Sequence, residues 1–336
     1  MKAIVYTEYG PPEVLKLQEV AQPIPQDDEI LVKNYATTIN FGDLIARDFK
    51  RVTPREFNMP FLFLVFARLS FGLNKPKNQI LGSEFAGEVA AIGKNVTHFK
   101  VGDAVFGYNG QNMQANAEYL CIAANGPVTL KPSNLSYEEA AALPYGTITA
   151  LNLLRKADIQ PGQKVLINGA SGSIGSAAVQ LAKHYGAEVT GVCGTPRLAF
   201  VKALGADKVI DYTKEDFTQN GERYDLIFDI LGRSSFAKCK KSLNPHGRYL
   251  LASFKSKQLI QMLWTSLVGD KKVICALSNE NGDELPQIKA LVEAGKITAH
   301  IDKCFPLEKT AEAHRYVEQG HKQGHIIIRI TQPANS

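Results

Sequence analysis

The segment KVLINGASGSIGSAAVQLA, residues 164–182, joins a β-branched run to a glycine-rich turn and then to a helix of small residues. The run Val165 to Ile167 predicts a strand. Gly169, Gly172 and Gly175 would then provide unusual backbone angles, close approach to phosphate and tight contact between helix and strand. Glycines at this spacing also occur in ordinary turns, but here they lie between a predicted strand and a helix N-terminus that can face an anion. The segment therefore predicts the pyrophosphate-binding turn of a dinucleotide fold.

Strands and helices alternate on the C-terminal side of this turn. The strand segments after KVLING are EVTGVCG, KVIDY, YDLIFDILG, RYLLASF and KKVICALS. Such alternation predicts a parallel sheet with helices on both faces. Before the turn, residues 1–122 contain short alternating strands punctuated by Gly and Pro, which predicts a β-rich lobe.

The C-terminal part has no place left in the parallel sheet. A helix is expected around 285–294 and a strand at 325–330, and we expect both to return to the first lobe. The predicted fold class is α/β. It combines a Rossmann-type, doubly wound parallel sheet over residues 125–278 with a discontinuous β-rich domain formed by 1–124 and 279–336.

Composition is typical of a globular protein of two domains. The chain has 336 residues, 45% of them hydrophobic, and a formal net charge of +5. Basic and acidic residues are interspersed along most of the chain, so we expect no nucleic-acid partner. Five scattered cysteines without a CxxC pair favour a reducing, cytoplasmic compartment. We expect no signal peptide, and the apolar run at 61–67 is too short to span a membrane.

Several ordered motifs extend over nearly the whole chain. They are INFGD at 39–43, LGSEFAGEVAAIG at 81–93, FKVGDAVFG at 99–107, AAALPYGTITAL at 140–151, LGADKVIDY at 204–212 and HGRYLLASF at 246–254. With the glycine turn, they resemble the medium-chain dehydrogenase/reductase superfamily, in its zinc-independent quinone oxidoreductase and enoyl reductase branch. The resemblance implies a GroES-like catalytic domain beside the nucleotide-binding domain. It also implies an active site between the two lobes and, commonly, a homodimer joined through the last strand of the nucleotide domain.

The residue types argue against a catalytic zinc. Zinc-dependent relatives have a cysteine in the INFGD segment and a histidine in the position of Ser83, and both are missing here. No cysteine lies between Cys121 and Cys193 to supply the usual third ligand. A catalytic zinc needs about three converging protein ligands, and the seven histidines are not grouped in this way. We therefore predict no metal site.

The end of the second strand of the nucleotide domain favours NADPH. NAD-selective folds place an acidic side chain there, whereas this chain continues as Cys-Gly-Thr-Pro-Arg at 193–197, and no carboxylate is expected nearby. Thr195 can donate a hydrogen bond, and Arg197 can pair with a 2′-phosphate. The resemblance adds Tyr212, which matches a tyrosine of the phosphate pocket in NADPH-dependent relatives. The alternative for Arg197 is a solvated charge at a helix start.

Other cofactor contacts are implied by the resemblance alone, through the matching motifs. They are Thr149, Ser171, Ser173, Ile174, Gly232 and Gly324. A role in helix packing is the main alternative for Ile174.

The expected reaction is hydride transfer to quinones or α,β-unsaturated carbonyls, whose reduction develops negative charge on oxygen. Asn40 is the best hydrogen-bond donor by position, with Asp43 orienting the loop, although both residue types also cap turns. Many relatives carry a tyrosine two residues after the matching aspartate, where this chain has Ile45. Tyr145 is the candidate substitute as proton donor.

Two questions stay open at the level of sequence. Residues 57–73 are strongly apolar and can line a substrate site, belong to the core, contact a second subunit or lie on a membrane surface. The alternatives for function are a zinc-free alcohol dehydrogenase or carbonyl reductase, and a non-catalytic NADPH-binding or RNA-binding protein.

Overall fold

The computed structural model describes residues 1–330 except Arg55, Asn58, Glu280 and His321. Its strands are β1 (Lys2–Val5), β2 (Lys16–Glu19), β3 (Glu29–Ile39), β4 (Glu84–Ile92), β5 (Ala104–Tyr108), β6 (Tyr119–Ala123), β7 (Val128–Leu130), β8 (Lys164–Asn168), β9 (Glu188–Cys193), β10 (Lys208–Asp211), β11 (Tyr224–Asp229), β12 (Leu243–Leu251), β13 (Lys272–Cys275), β14 (Ile301–Pro306) and β15 (His325–Arg329). Its α-helices are α1 (Phe41–Arg47), α2 (Phe61–Phe71), α3 (Tyr137–Ala141), α4 (Pro144–Ala157), α5 (Ser173–His184), α6 (Leu198–Ala203), α7 (Phe236–Cys239), α8 (Ser256–Leu267), α9 (Leu285–Glu293) and α10 (Thr310–Glu318).

The predicted parallel sheet is confirmed. Within the described residues, β8 to β13 form a six-stranded sheet in the order β10-β9-β8-β11-β12-β13, and every adjacent pair is parallel. This is the strand order of a dinucleotide-binding fold, in which the direction of winding reverses between the first and fourth strands. The reversal here lies between β8 and β11. Buried side chains such as Leu166, Ile227 and Tyr249 form the core on this sheet.

The β-rich lobe is also confirmed, and the tail returns to it as expected. Among the described residues, its larger sheet has the order β14-β15-β3-β4-β5-β7, and β6 also pairs with β3. Strand β15 pairs antiparallel with β3, with Ile326 opposite Ile39. Those two residues are buried in one core cluster with Tyr6 and Leu81. The last residues of the expected domain, 331–336, lie outside the described residues.

The chain divides into two compact units whose limits differ from those expected. The first unit contains residues 1–52, 66–145 and 280–336, and the second contains 53–65 and 146–279. Residues 125–145 join the first unit because β7 pairs with β5 and α3 contacts β3 and β4. Residues 53–65 belong to the second unit. One contact that joins this segment to the rest of that unit is the hydrogen bond from the Lys255 ammonium to the Pro54 carbonyl, at 3.5 Å.

The apolar segment 57–73 folds mainly into α2, and one of its interpretations is wrong. The helix is not core, because most of its large apolar side chains are exposed, whereas Leu64 is buried. Residue 58 of this segment lies outside the described residues. Among the helices described, none is long and apolar enough to cross a membrane.

Candidate cofactor site and active site

The glycine turn has the geometry that its sequence predicts. Gly169 follows β8 with a φ of +95°, which a side chain would strain. A Cβ on Gly175 would lie 2.1 Å from the Gly169 carbonyl oxygen, so only glycine allows α5 to pack this closely on the turn. Gly172 is the N-cap of α5, and no side chain caps that helix end. The first backbone N–H groups of α5 are therefore available to an anion.

A second loop meets this turn at the switch point of the sheet. A Cβ on Gly169 would lie 3.3 Å from Leu231, in the loop that follows β11. That loop is anchored by Asp229, whose Oδ2 accepts a hydrogen bond from the Tyr249 hydroxyl at 2.8 Å. Gly232 then turns the chain with a φ of +63°. Open α/β sheets bind their ligands at such a switch point, beyond the carboxyl ends of the strands.

Two of the residues expected to bind the 2′-phosphate lie together at the end of β9. A Cβ on Gly194 would lie 3.4 Å from the Tyr212 hydroxyl and 3.6 Å from Nη1 of Arg197. The absence of a side chain at Gly194 leaves space between a hydroxyl and a guanidinium. That combination suits a phosphate, which accepts hydrogen bonds from both.

Thr195 requires a correction, because a carboxylate does lie beside this space. The Thr195 hydroxyl donates to Oδ2 of Asp211 at 2.5 Å. The Thr213 hydroxyl and backbone N–H donate to Oδ1 of the same carboxylate at 2.7 and 3.0 Å. The hydrogen bond from Thr195 is the main cause that lowers the pKa of Asp211. This carboxylate was not expected from the sequence, because it comes from β10 rather than from the end of β9.

The catalytic candidates of the first unit lie in a polar cluster at the start of α1. Asn40 caps α1: its Oδ1 accepts from the Gly42 N–H at 3.0 Å, and its Nδ2 donates to the Ser83 hydroxyl at 3.1 Å. Asp43 accepts from the Asn40 N–H at 2.9 Å and from the Gly82 N–H at 3.0 Å. Asp43 thus orients this loop. Asn40 has the capping role that the sequence left open, and its direct participation in catalysis stays a prediction.

Glu84 was not among the residues predicted from the sequence, and it is central to the same cluster. It begins β4 and is fully buried. Its Oε2 accepts from the Thr38 hydroxyl, and its Oε1 accepts from the Tyr145 backbone N–H at 2.8 Å. Burial raises the pKa of Glu84 to about 7, although hydrogen bonds from Thr38, Tyr145 and Asn40 oppose the rise. Burial likewise raises the pKa of Asp43 to about 6.

Tyr145 is held by its backbone and its ring. The residue lies in the first turn of α4, where Glu84 accepts from its N–H. Its ring packs against Tyr108 with centroids 5.6 Å apart. A carboxylate at a helix N-terminus is also stabilised by the helix dipole. Glu84 therefore fixes the start of α4 and with it the position of Tyr145.

The remaining cofactor candidates divide between the two units. Thr149 is buried on α4, and Ile174 is half-buried on α5 beside Ser173; Ser171 lies in the glycine turn. Gly324 lies in the first unit with a φ of +94°, and a Cβ there would lie 2.3 Å from the His300 carbonyl oxygen. Backbone geometry thus accounts for glycine at 324, and its contact with a cofactor stays a prediction.

The donor groups described here fit a dinucleotide. The glycine turn offers uncapped N–H groups, and Gly194 leaves space between Arg197 and Tyr212. In the described part of the chain, no three His, Cys, Asp or Glu side chains are grouped so that they could hold a metal ion. The prediction that the enzyme works without zinc is not tested by that finding.

Comparison with known proteins extends over both units. Residues 26–149 match the alcohol dehydrogenase GroES-like domain family, and residues 204–328 match the family described as zinc-binding dehydrogenase. The 2-methylene-furan-3-one reductase of Solanum lycopersicum is 32% identical, over 98% of this chain and 79% of its own length. The chloroplastic NADPH-dependent alkenal/one oxidoreductase of Arabidopsis thaliana is 29% identical over the same shares, 98% and 79%.

Among solved structures, the quinone oxidoreductase from Coxiella burnetii superposes with a TM-score of 0.84 and 29% identity, over 98% of this chain and 99% of that one. The motifs, the strand order and these likenesses agree along the chain. The protein is therefore an oxidoreductase that uses a pyridine nucleotide, and it belongs to the zinc-independent quinone oxidoreductase branch of the medium-chain dehydrogenase/reductase superfamily.

Proposed function

We propose that this enzyme reduces quinones or α,β-unsaturated carbonyl compounds with NADPH and without a catalytic metal. The observation that carries the cofactor choice is the space at Gly194, which Arg197 and Tyr212 border. The names of the Arabidopsis and Coxiella relatives, an NADPH-dependent alkenal/one oxidoreductase and a quinone oxidoreductase, support the cofactor and the substrate class.

Each part of the nucleotide-binding unit has a proposed role. The uncapped N-terminus of α5 binds the pyrophosphate, assisted by Ser171 and Ser173. Arg197 and Tyr212 bind the 2′-phosphate. The hydrogen bond from the Thr195 hydroxyl to the Asp211 carboxylate holds the neighbouring backbone in position. Bound NADPH supplies a hydride for conjugate addition. Thr149, Ile174, Gly232 and Gly324 complete the proposed set of contacts.

In the first unit, the proposed chemical task is to supply a proton to an oxygen or carbon that gains electron density. We assign this to the Tyr145 hydroxyl, because the backbone of Tyr145 is fixed by Glu84 and its ring by Tyr108. Asn40 and Asp43 hold the loop before α1 in place. A donor that is already oriented stabilises developing charge at little reorganisation cost.

The experiment follows NADPH oxidation by the chelator-treated protein with quinones, enones, alkenals and simple ketones, and with NADH as the comparison. Quinone or enone turnover with NADPH is the expected result. Preferred turnover of ketones would favour a carbonyl reductase instead. NADPH binding without turnover of any acceptor would favour the non-catalytic alternative.

Arg197→Ala tests the cofactor assignment. Loss of a charge-assisted hydrogen bond costs about 1.5–3 kcal/mol, so the KM for NADPH should rise about 10- to 100-fold while that for NADH changes little. An unchanged preference between the two nucleotides would show that Arg197 is only a solvated charge.

Tyr145→Phe tests the proton donor. We expect kcat for enones to fall about 10²-fold, with the dissociation constant for NADPH unchanged. Tyr108→Phe is the matched control, since it keeps the ring packing against Tyr145. Equal rates in wild type and Tyr145→Phe would leave water as the proton source.

We also propose a homodimer through β13. This strand is the edge of the six-stranded sheet in the described residues, and α8, which precedes it, exposes Ile260, Leu263, Trp264 and Leu267. Sedimentation of the wild type and of Trp264→Glu tests this, with a monomeric wild type as the contradicting result. The cytoplasmic location stays a prediction.

A further inference from the structure

Helix α2 turns its apolar side chains outward. Its sequence is FLFLVFARLSF, and Leu64 is its buried residue. The exposed large apolar side chains of the helix and the turn after it are Phe61, Leu62, Phe63, Val65, Phe66, Leu69 and Leu73. A helix on the surface of a globular protein normally exposes polar residues instead. A contiguous apolar patch of this kind marks an interaction surface.

The exposed residues cover one broad face. At 100° per residue, Phe61, Val65 and Leu69 follow one another along a row, and Leu62 and Phe66 form the adjacent row. The single charged residue within the helix, Arg68, lies seven positions after Phe61 and so borders this face, and its guanidinium donates to the Val52 carbonyl at 3.3 Å. The rest of the outward face of α2 carries no charge.

The end of α2 is firmly held in the first unit. The Tyr9 hydroxyl donates to the Phe71 carbonyl at 2.8 Å, and the Lys77 ammonium donates to the Leu69 carbonyl at 2.6 Å. The Phe49 and Phe71 rings pack with centroids 5.1 Å apart. The exposed apolar face thus belongs to an anchored helix.

The segment that contains this helix is positively charged. Residues 50–77 contain six of the chain's 38 basic residues and one of its 33 acidic residues, so this segment alone carries a net charge equal to the chain's +5. The basic residues are Lys50, Arg51, Arg55, Arg68, Lys75 and Lys77. Asp48 offsets part of this charge, since its carboxylate lies 3.7 Å from Arg51.

A cavity of about 350 Å³ opens beside the C-terminal half of α2. It is lined by Phe49, Lys50, Arg68, Gly72, Leu73 and Asn74. Two cationic side chains and an amide in one cavity suit a phosphate group. The cavity adjoins the apolar face at Leu73, so apolar and phosphate-binding surfaces are continuous.

We propose that α2 docks this enzyme on an anionic phospholipid bilayer. The outward face of α2 enters the boundary between headgroups and acyl chains, and Lys50 and Arg68 bind lipid phosphates. The helix lies along the membrane surface, because eleven residues extend only about 16 Å and a span needs about 20 residues. A second copy of the chain fits this face poorly, since two segments of the same positive charge would be brought together.

Flotation with vesicles tests the proposal on the purified, full-length protein. We expect binding to vesicles of phosphatidylcholine with about one-third phosphatidylglycerol, and binding at least about 10-fold weaker to phosphatidylcholine alone. Raising the salt to about 1 M should weaken the binding several-fold, because exposed charges are screened. Soluble glycerol phosphate at millimolar concentration should not release the protein, because it lacks the acyl chains that the helix binds.

The double variant L62S/F66S should bind anionic vesicles at least about 10-fold more weakly. The control I24S/V101S also replaces two exposed apolar residues and should bind like wild type. Circular dichroism melts confirm that both variants are folded, and K50E should weaken binding without altering the melt. The proposal is refuted by a wild type that does not float, by unchanged binding of L62S/F66S, or by a change of oligomeric state in that variant.

Discussion

Replacing Glu84 with glutamine should change how stability depends on pH, and the structure sets the sign. Burial raises the pKa of Glu84 from its ordinary value of 4.5 to about 7, so the folded protein holds this proton more tightly than the unfolded chain. Stability then falls as pH rises between these two values, because unfolding releases a proton. A rise of this size corresponds to about 3 kcal/mol, fully lost above about pH 7. Glutamine has nearly the same shape and does not ionise in this range.

The assay is urea unfolding at a series of pH values from 4 to 8.5, with ΔG of unfolding extrapolated to water. Subtracting the wild-type values from those of Glu84→Gln isolates Glu84, since other titrating groups are common to both proteins. The difference should move in favour of the variant by about 3 kcal/mol between about pH 4.5 and 7. A difference that stays constant with pH would refute the reasoning.

Thr38→Val provides a directional control. The Thr38 hydroxyl donates to Glu84, and this hydrogen bond lowers the pKa of the carboxyl. Valine keeps the shape of the side chain without the donor. The pH-dependent loss of stability should therefore continue to a higher pH than in wild type. Unchanged pH dependence in Thr38→Val would mean that this hydrogen bond does not act on the ionised carboxylate.

Three further predictions concern other sites. Gly175→Ala should destabilise the protein by about 1–3 kcal/mol and weaken NADPH binding, because its Cβ would lie 2.1 Å from the Gly169 carbonyl oxygen. Gly172→Ala is the control in thermal melts and should melt like wild type, because its Cβ would lie 3.8 Å from the nearest atom. Burial lowers the pKa of His314 from 6.5 to about 3, so between these values the unfolded chain binds a proton that the folded protein does not. The free energy of unfolding should therefore fall as the pH drops below about 6.5. Acid unfolding should show a smaller fall in His314→Gln. Asp211→Asn should raise the preference for NADPH over NADH about 2- to 10-fold in steady-state kinetics, because it removes a negative charge near the proposed phosphate; an unchanged ratio would place Asp211 outside the reach of the nucleotide.

The order of the parallel sheet could be predicted because its determinants are local. Strands buried on both faces give continuous apolar runs such as VLI at 165–167, and each run is followed by a turn and a helix. The glycine turn is equally local: its close contact between Gly169 and Gly175 spans only six positions. Repeated local patterns of this kind determine both the fold class and the place where a dinucleotide binds.

The polar cluster could not be predicted in detail, because its hydrogen bonds join residues far apart in sequence. Asp43 accepts from Gly82, and Glu84 accepts from Tyr145. A glutamate followed directly by the apolar residues Phe85 and Ala86 of a predicted strand was the signal that could have identified Glu84, since a buried charge requires partners. Asp211 was missed for the same reason, as it meets Thr195 only when β9 and β10 pair.

Helix α2 shows a different limit. Hydropathy identifies an apolar segment, and burial is the usual consequence, yet Phe61 and Phe66 remain more than half exposed. Hydropathy measures the preference of side chains for an apolar environment and does not identify the molecule that supplies it. For α2 the charge of the flanking residues is the more informative feature. An apolar face bordered by cations favours an anionic lipid membrane over the surface of a second protein.

The hydrogen bonds of the first unit narrow the choice of proton donor. Nδ2 of Asn40 donates to Ser83, and its carbonyl oxygen caps α1. The carboxyl of Glu84 is occupied by the Thr38 hydroxyl and the Tyr145 N–H. These hydrogen bonds hold the loop before α1 and the start of α4 in place. Under the proposed function, they position the Tyr145 side chain as proton donor, and the comparison of Tyr145→Phe with wild type decides between that side chain and water.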